Sequence, residues 1–165
     1  MYVDDEQQNC RFDRGNNRFV YRAGAIIIEN GCVLLVTNAA ADYYYTVGGG
    51  IHFDETAEQA VLREVKEETG VDYEVDRLVF VNEAFFTEEC GVHKGKDFHE
   101  VAMYFFMKPR GTQEIHSDSY CCDGKETLEW VSLSKLKSVK VYPEFFADRL
   151  TNLPDVVEYI MLRRK

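Results

Sequence analysis

Gly49–Val71 reads GGIHFDETAEQAVLREVKEETGV, a glycine turn followed by the start, body and end of one helix. Thr56 with Gln59 three residues on is a capping-box pattern, so the helix is expected to begin near Thr56. Gly70, directly after Thr69, is a stop signal. Ala57, Ala60, Val61 and Val65 recur at helical spacing and are expected to face the core. Glu64, Glu67 and Glu68 stand at i, i+3 and i+4, which puts three carboxylates on one arc of about 100°. They flank the apolar stripe and so can face a cleft. Like charges at this spacing repel by a few tenths of a kcal/mol each, and a cation between them reverses the sign. Hard divalent cations want such oxygen ligands, completed by water and substrate phosphates. The plain alternative is a solvated acidic helix face, which the EVKEE run alone would favour.

The spacing of the whole stretch changes that weighing. It runs Gly49, five residues, Glu55, seven residues, Arg63-Glu64-Val65, one residue, Glu67-Glu68, one residue, Gly70-Val71. This resembles the signature of the Nudix hydrolases at every defined position. Weaker similarity extends from about Phe19 to Leu136. Two departures are local. Asp54 stands where the family usually has glycine, and Tyr44-Tyr45-Thr46-Val47-Gly48-Gly49 replaces a loop of the Trp-x-Leu-Pro-Gly-Gly kind.

The resemblance implies an α/β protein of the Nudix fold, a mixed β-sheet sandwiched between helices in an α/β/α arrangement. It implies cleavage of a diphosphate linked to a nucleoside, with Mg²⁺ or Mn²⁺ as cofactor. Carried over by position, Glu64, Glu67 and Glu68 match the metal-holding acids, and the Gly48 carbonyl matches a backbone ligand. Arg63 matches the arginine that orients the glutamates. Glu55 matches a structural acid near the helix start, where the helix dipole favours negative charge. A further acid is expected ahead of the tryptophan strand. Glu126, four residues before Trp130, is the candidate as last metal ligand or general base. A solvated loop glutamate is the alternative there, and Glu64 is the alternative base.

The rest of the chain bounds the reading. A chain of 165 residues is one domain by prior. We expect it to occupy residues 18–165, behind a polar arm or edge segment at 1–17. There is no apolar run of 18 residues, so no membrane span is expected. The opening MYVDDEQQNC is polar and acidic, unlike a secretory leader, and a cytoplasmic location is expected. The five cysteines are odd in number and lack C-x-x-C spacing, which fits a reducing compartment. Cys121-Cys122 is read as a coincidental pair in a loop. A net charge of −10 argues against a nucleic-acid partner. It does not argue against a small polyphosphate, because bound Mg²⁺ inverts the local field. A monomer or homodimer is expected.

Periodicity orders the elements. Phe19 to Ile28 reads as a strand, turning at Glu29-Asn30-Gly31 into Cys32 to Thr37; Asn-Gly between apolar runs is a hairpin signal. Tyr43 to Val47 is a short strand delivering Gly48-Gly49-Gly50. Tyr73 to Phe86 holds a long strand or two. Phe98 to Lys108 is strongly apolar and expected to be central. Pro109 to Gly124 is a long polar loop, Glu126 to Ser132 a strand, and Ser134 to Lys137 a helical turn. Pro143 to Leu150 and Pro154 to Arg163 read as helices with proline in the first turn.

Substrate contacts are sought among Arg22, Tyr44, Gly49, Gly50, His52 and Glu100. Arg22 is a charge inside an apolar strand; an edge arginine facing water is its plainer meaning. Three consecutive glycines let a backbone approach a ligand closely, or form an ordinary turn. His52 follows the glycines. Tyr43, Tyr44 and Tyr45 can stack on a base, although alternation puts one face of them in the core. Glu100 opens the central strand, where polar residues also occur without function. The expected function is Mg²⁺-dependent hydrolysis of a small-molecule nucleoside diphosphate derivative, such as an ADP-ribose-like or dinucleotide substrate. The alternative is a non-catalytic nucleotide-sensing module of the same fold, against which the intact acids weigh. An isomerase-like use on an isoprenyl diphosphate lacks a convincing cysteine or histidine arrangement.

Overall fold

The computed structural model describes residues 9–121 and 124–164. The first eight residues of the expected arm and Cys122 lie outside the described residues. In chain order the strands are β1 (Arg11–Arg14), β2 (Asn17–Ile26), β3 (Ile28–Glu29), β4 (Cys32–Asn38), β5 (Tyr44–Thr46) and β6 (Gly48–Gly50). Helix α1 (Ala57–Thr69) follows, then β7 (Val75–Thr87), β8 (Asp97–Met107), β9 (Tyr120–Cys121) and β10 (Gly124–Ser132). A 3-10 turn (Leu133–Ser138), β11 (Val141–Tyr142), the one-turn α2 (Phe146–Arg149) and β12 (Glu158–Arg163) close the chain.

One sheet has the order β1-β2-β8-β7-β12, with β6 also paired to β2. It is mixed: β2 runs parallel to β8 and β12 parallel to β7, while β7 and β8 are antiparallel. The second sheet is ordered β11-β5-β4-β10-β9, with β3 on β4. Two core clusters result. One packs Ala60, Val61 and Val65 of α1 against Ala23, Ala25, Leu34, Val36 and Phe105. The other packs Leu136, Phe146 and Leu150 against Ile26, Val33, Leu35, Phe80 and Tyr104. Neighbouring residues of β4 belong to different clusters, so both faces of that strand are buried and it reads as a continuous apolar run.

Local chemistry sets the ends of α1. The Thr56 hydroxyl accepts from the Gln59 amide, and the Gln59 side chain accepts from the Thr56 amide. Gly70 closes the helix in the left-handed region at φ 72°. The β3–β4 hairpin turns on Asn30 and Gly31, both at positive φ, as its Asn-Gly signal predicts.

Two expectations are corrected. Pro154 to Arg163 is not a helix: Glu158–Arg163 is a strand whose side chains alternate between partly buried and exposed. Its alternation has the period of a strand, and pairing along β7 outweighs the proline signal. Pro143 to Leu150 shortens to the single turn Phe146–Arg149. The second helical layer is therefore thin, made of α2 and the 3-10 turn. Tyr73 to Phe86 resolves into one strand with register irregularities between Val75 and Arg77 and between Leu78 and Phe80. Among the described residues, no helix is long and apolar enough to cross a membrane.

Candidate active site

The three glycines of β6 lie antiparallel to β2, with Gly48 opposite Gly24, Gly49 opposite Ala23 and Gly50 opposite Arg22. Gly48 has φ 138°, and a side chain there would run into the Ala23 carbonyl. Gly49 faces α1: a Cβ would stand 2.5 Å from Oε1 of Glu64. The glycines thus let two backbones and a carboxylate meet in one place.

Arg63 arranges the acids around that meeting point. Its Nε and one terminal nitrogen donate to both oxygens of Glu55, at 2.8 and 3.0 Å. The same terminal nitrogen reaches the Gly50 carbonyl at 3.1 Å. The other donates to Oε1 of Glu64 at 2.6 Å and lies 3.5 Å from Glu67. Arg63 is therefore a positioning residue, clamped by Glu55 and clamping Glu64. Glu68 is buried and accepts the Gly48 amide at 2.8 Å. Glu67 is 59% exposed at its side chain and points to the outer side of the group.

Glu126 enters from β10. It is buried, accepts the Tyr45 hydroxyl at 2.8 Å on one oxygen, and accepts the Ser119 hydroxyl on the other. Burial holds Glu68 well above the usual carboxylate range, and the charges of Glu126 and Glu64 push it further in the same direction. Burial also raises Glu64, against the pull of Arg63. Two acids of α1 and one remote in sequence thus share one poorly solvated corner.

A cleft of about 340 Å³ opens beside this corner. Its walls include Gly48, Gly49, Glu126, Arg22, Glu100, Tyr43, Tyr45, Asn82, Tyr142 and Arg164. Arg22 donates to the Gly48 carbonyl at 3.1 Å and lies 3.8 Å from Glu100. Glu100 is raised by burial, with Arg22 opposing that shift. Arg22 is thus no solvated edge arginine; β6 and β8 flank its strand.

Three candidates stand apart from the cleft walls. Tyr44 donates to Glu129 at 2.7 Å, whereas Tyr43 and Tyr45 line the cleft. Alternation along the strand explains the division and could have selected Tyr45 over Tyr44. The Gly50 carbonyl takes Arg63, and a side chain at Gly50 would meet Asn9. His52 sits in the turn before α1, its amide donating to Glu55 at 3.0 Å. Sequence reasoning missed Ser119, Asn82, Tyr142 and Arg164. None stands in a motif; only tertiary folding brings Asn82, Tyr142 and Arg164 to the cleft and Ser119 to Glu126.

The donor set suits a hard divalent cation. Oε1 of Glu64 and Oε1 of Glu68 are engaged, while among the described residues no hydrogen bond reaches the second oxygen of either. The crowded negative charge is what a cation would relieve. As the side chains stand, no three acid, imidazole or thiol groups among the described residues are gathered as a ready metal cage. Arg63 and the Gly48 amide hold the glutamates instead.

Comparisons with known proteins agree with this geometry. A family model described as NUDIX domain matches residues 18–149. A putative 8-oxo-dGTP diphosphatase of Bacillus subtilis (strain 168) is 30% identical over 122 residues, covering 71% of this chain and 70% of that protein. A MutT-like protein of Streptomyces ambofaciens is 37% identical over 92 residues, covering 56% of this chain and 53% of that protein. The match to that curated relative thus spans about half its length. Among solved structures, the mutator MutT protein of Bacillus halodurans aligns with TM-score 0.64 at 16% identity, covering 88% of this chain and 90% of that one. An ADP-ribose pyrophosphatase of Streptococcus suis aligns with TM-score 0.53 at 18% identity, covering 86% and 98%. These two likenesses concern the fold.

Proposed function

The chain belongs to the Nudix hydrolase family, and from that premise we propose that it hydrolyses a nucleoside diphosphate linked to another group, using Mg²⁺ or Mn²⁺. The observation that supports the reading is the corner where buried Glu68 feels the charges of Glu126 and Glu64, beside a cleft whose walls include Glu126 and Gly48. Glu64, Glu67, Glu68 and the Gly48 carbonyl are the groups that would hold the cation. When bound, it would neutralise the non-bridging phosphate oxygens and supply an activated water.

The chain's own residues do the rest. Arg63, locked by Glu55, keeps Glu64 aimed at the glycines. Arg22 fixes the Gly48 carbonyl and presents positive charge to the cleft floor. Glu126, bonded by two hydroxyls, is kept as an acceptor and serves as general base, with Glu64 as the alternative. Tyr43, Tyr45 and Tyr142 line the cleft and offer rings for a nucleobase.

A nucleoside triphosphate, an ADP-ribose-like compound and a dinucleotide each present such a diphosphate. The name of the Bacillus subtilis relative makes the first the leading substrate to try. The test is a panel of all three classes with Mg²⁺ or Mn²⁺, reading phosphate released by a phosphatase from the ADP-ribose-like and dinucleotide products and by an inorganic pyrophosphatase from the triphosphate products. Hydrolysis that needs added metal and stops with chelator supports the reading. Tight nucleotide binding with no turnover of any class would replace it by the sensing module.

A further inference from the structure

We propose that β12 is a docking edge for a second copy of this chain, paired antiparallel across a two-fold axis at Met161. The five-strand path of the larger sheet has two ends, β1 and β12. β1 is Arg-Phe-Asp-Arg, and charge on a short strand is a common protection against edge pairing. β12 carries the run Tyr159-Ile160-Met161-Leu162 between Glu158 and Arg163 and, among the described residues, pairs with β7 alone. Tyr159 and Met161 are 63% and 52% exposed, large apolar surface on an edge whose charges stand at its two ends.

The backbone fixes which groups are on offer. The Arg164 amide donates to the Phe85 carbonyl at 2.8 Å, so even-numbered residues of β12 turn their main-chain groups toward β7. The main chain alternates along a strand, so Tyr159, Met161 and Arg163 turn theirs outward. An antiparallel partner centred on Met161 uses those three residues on each strand, for about six main-chain hydrogen bonds.

The side chains match in that register. Opposed residues of an antiparallel pair share a face, so Met161 meets Met161 and Ile160 meets Leu162 of the second copy. Tyr159 meets Arg163, a cation over a ring, and Glu158 meets Arg164, acid against base. Glu158 is bonded to Arg149, and Arg164 lies 3.7 Å from Glu144 and over Tyr142. The cross-strand charge therefore extends existing networks. The strand is self-complementary end to end, which selects a second copy over an unrelated strand. Pairing β12 to β1 instead would be head-to-tail and would not close, whereas the two-fold arrangement is self-limiting.

The test is sedimentation velocity of the full chain from about 1 to 100 µM, with amide exchange of β12 at both ends of that range. The expected result is a reversible dimer, with the Met161 and Arg163 amides protected only at high concentration. Met161→Pro removes an outward N–H and leaves the β7 ladder intact, so it should be folded and monomeric. If that variant fails to fold, Met161→Lys decides, because it sets two like charges face to face at the axis. A wild-type chain that stays monomeric at about 100 µM overturns the proposal. So does a dimer of unchanged strength in a folded variant, or one whose β12 amides exchange freely.

Discussion

The amide of Gly48 donates to Oε1 of Glu68 at 2.8 Å, bridging the glycine turn and the far end of α1. That bond anchors a carboxylate which burial and the neighbouring Glu126 and Glu64 all push toward its neutral form. The folded state thus binds a proton at Glu68 at pH values where the unfolded chain, with an ordinary glutamate near 4.3, has lost it. Stability from this group is present near and below the unfolded value and is lost as pH rises toward the raised folded value. Metal-free protein should therefore lose melting temperature as pH rises above the ordinary glutamate range, and Mg²⁺ or Mn²⁺ should restore it most at the upper end. Glu68→Gln keeps an acceptor for the Gly48 amide. It should raise the metal-free Tm at pH 8, flatten the pH dependence and abolish the response to metal. Calorimetry with and without chelator reads all three, and a variant that still responds fully to metal would contradict the role given to Glu68.

Gly48 and Gly49 should fail in different ways. A side chain at Gly48 meets backbone, the Ala23 carbonyl, at a φ of 138° that other residues rarely adopt. Gly48→Ala should cost about 3 kcal/mol or more and loosen β6 from β2. The atoms nearest to a side chain at Gly49 belong to the Glu64 carboxylate, which is held by Arg63 and not by backbone. Gly49→Ala should keep the fold, shift that carboxylate, and lower kcat by roughly 100-fold. Paired melting and kinetic measurements separate the two, and equal stability losses would refute the distinction.

Glu29 makes a structural prediction remote from the cleft. Its buried carboxylate accepts the amides of Arg110 at 2.5 Å and Gly111 at 2.9 Å, and the Tyr73 hydroxyl at 3.3 Å. The Trp130 indole then donates to Gln113 in the same loop at 3.0 Å. Glu29→Ala removes the acceptor of two loop amides and of the buried Tyr73 hydroxyl and should destabilise the protein by about 1–3 kcal/mol, seen as a lower urea midpoint. Its kcat at a temperature where the variant is folded should be close to wild type.

Asp54 tests the first departure from the family pattern. It sits at φ 63°, a left-handed position where glycine is unstrained. Asp54→Gly should stabilise the protein by up to about 1 kcal/mol, measured by denaturant unfolding. A loss of stability would mean that the aspartate side chain supports the turn.

How much of this was legible in the sequence depended on how local the cause was. The limits of α1 came from Thr56, Gln59 and Gly70, whose bonds close within a few residues. The Asn30-Gly31 turn did likewise. The β12 strand was misread because Pro154 offered a helix signal while the deciding interaction, pairing with β7, lies more than seventy residues away. At the site, the residues within the 49–71 stretch were readable because their spacing carries the chemistry. Tyr44 was chosen where Tyr43 and Tyr45 line the cleft, since a three-residue strand hardly reveals its parity. Ser119 and Asn82 have no sequence signal, because only the meeting of two sheets gives them a task.

Glu126 is where kinetics and stability part most clearly. The acid lies on β10, opposite Asn38 of β4, and its charge is felt at Glu68. Both oxygens accept hydroxyls, from Tyr45 and Ser119, which fix the orientation of the carboxylate. If it removes a proton from the attacking water, Glu126→Gln should lower kcat by about 10²- to 10⁴-fold and move KM much less. The Tm should rise slightly, since a charge opposing Glu68 is gone. Tyr45→Phe deletes one donor and should cost about 10-fold in kcat by leaving the carboxylate less well held. Burial and Glu126 together hold the Tyr45 hydroxyl far above its ordinary range, so it remains a donor at every working pH. Glu129 is the control. It takes the Tyr44 hydroxyl at 2.7 Å and does not line the cleft, so Glu129→Gln should leave kcat unchanged. If Glu126→Gln instead loses stability at constant kcat, the acid is a strut for Tyr45 and Ser119, and Glu64 becomes the base.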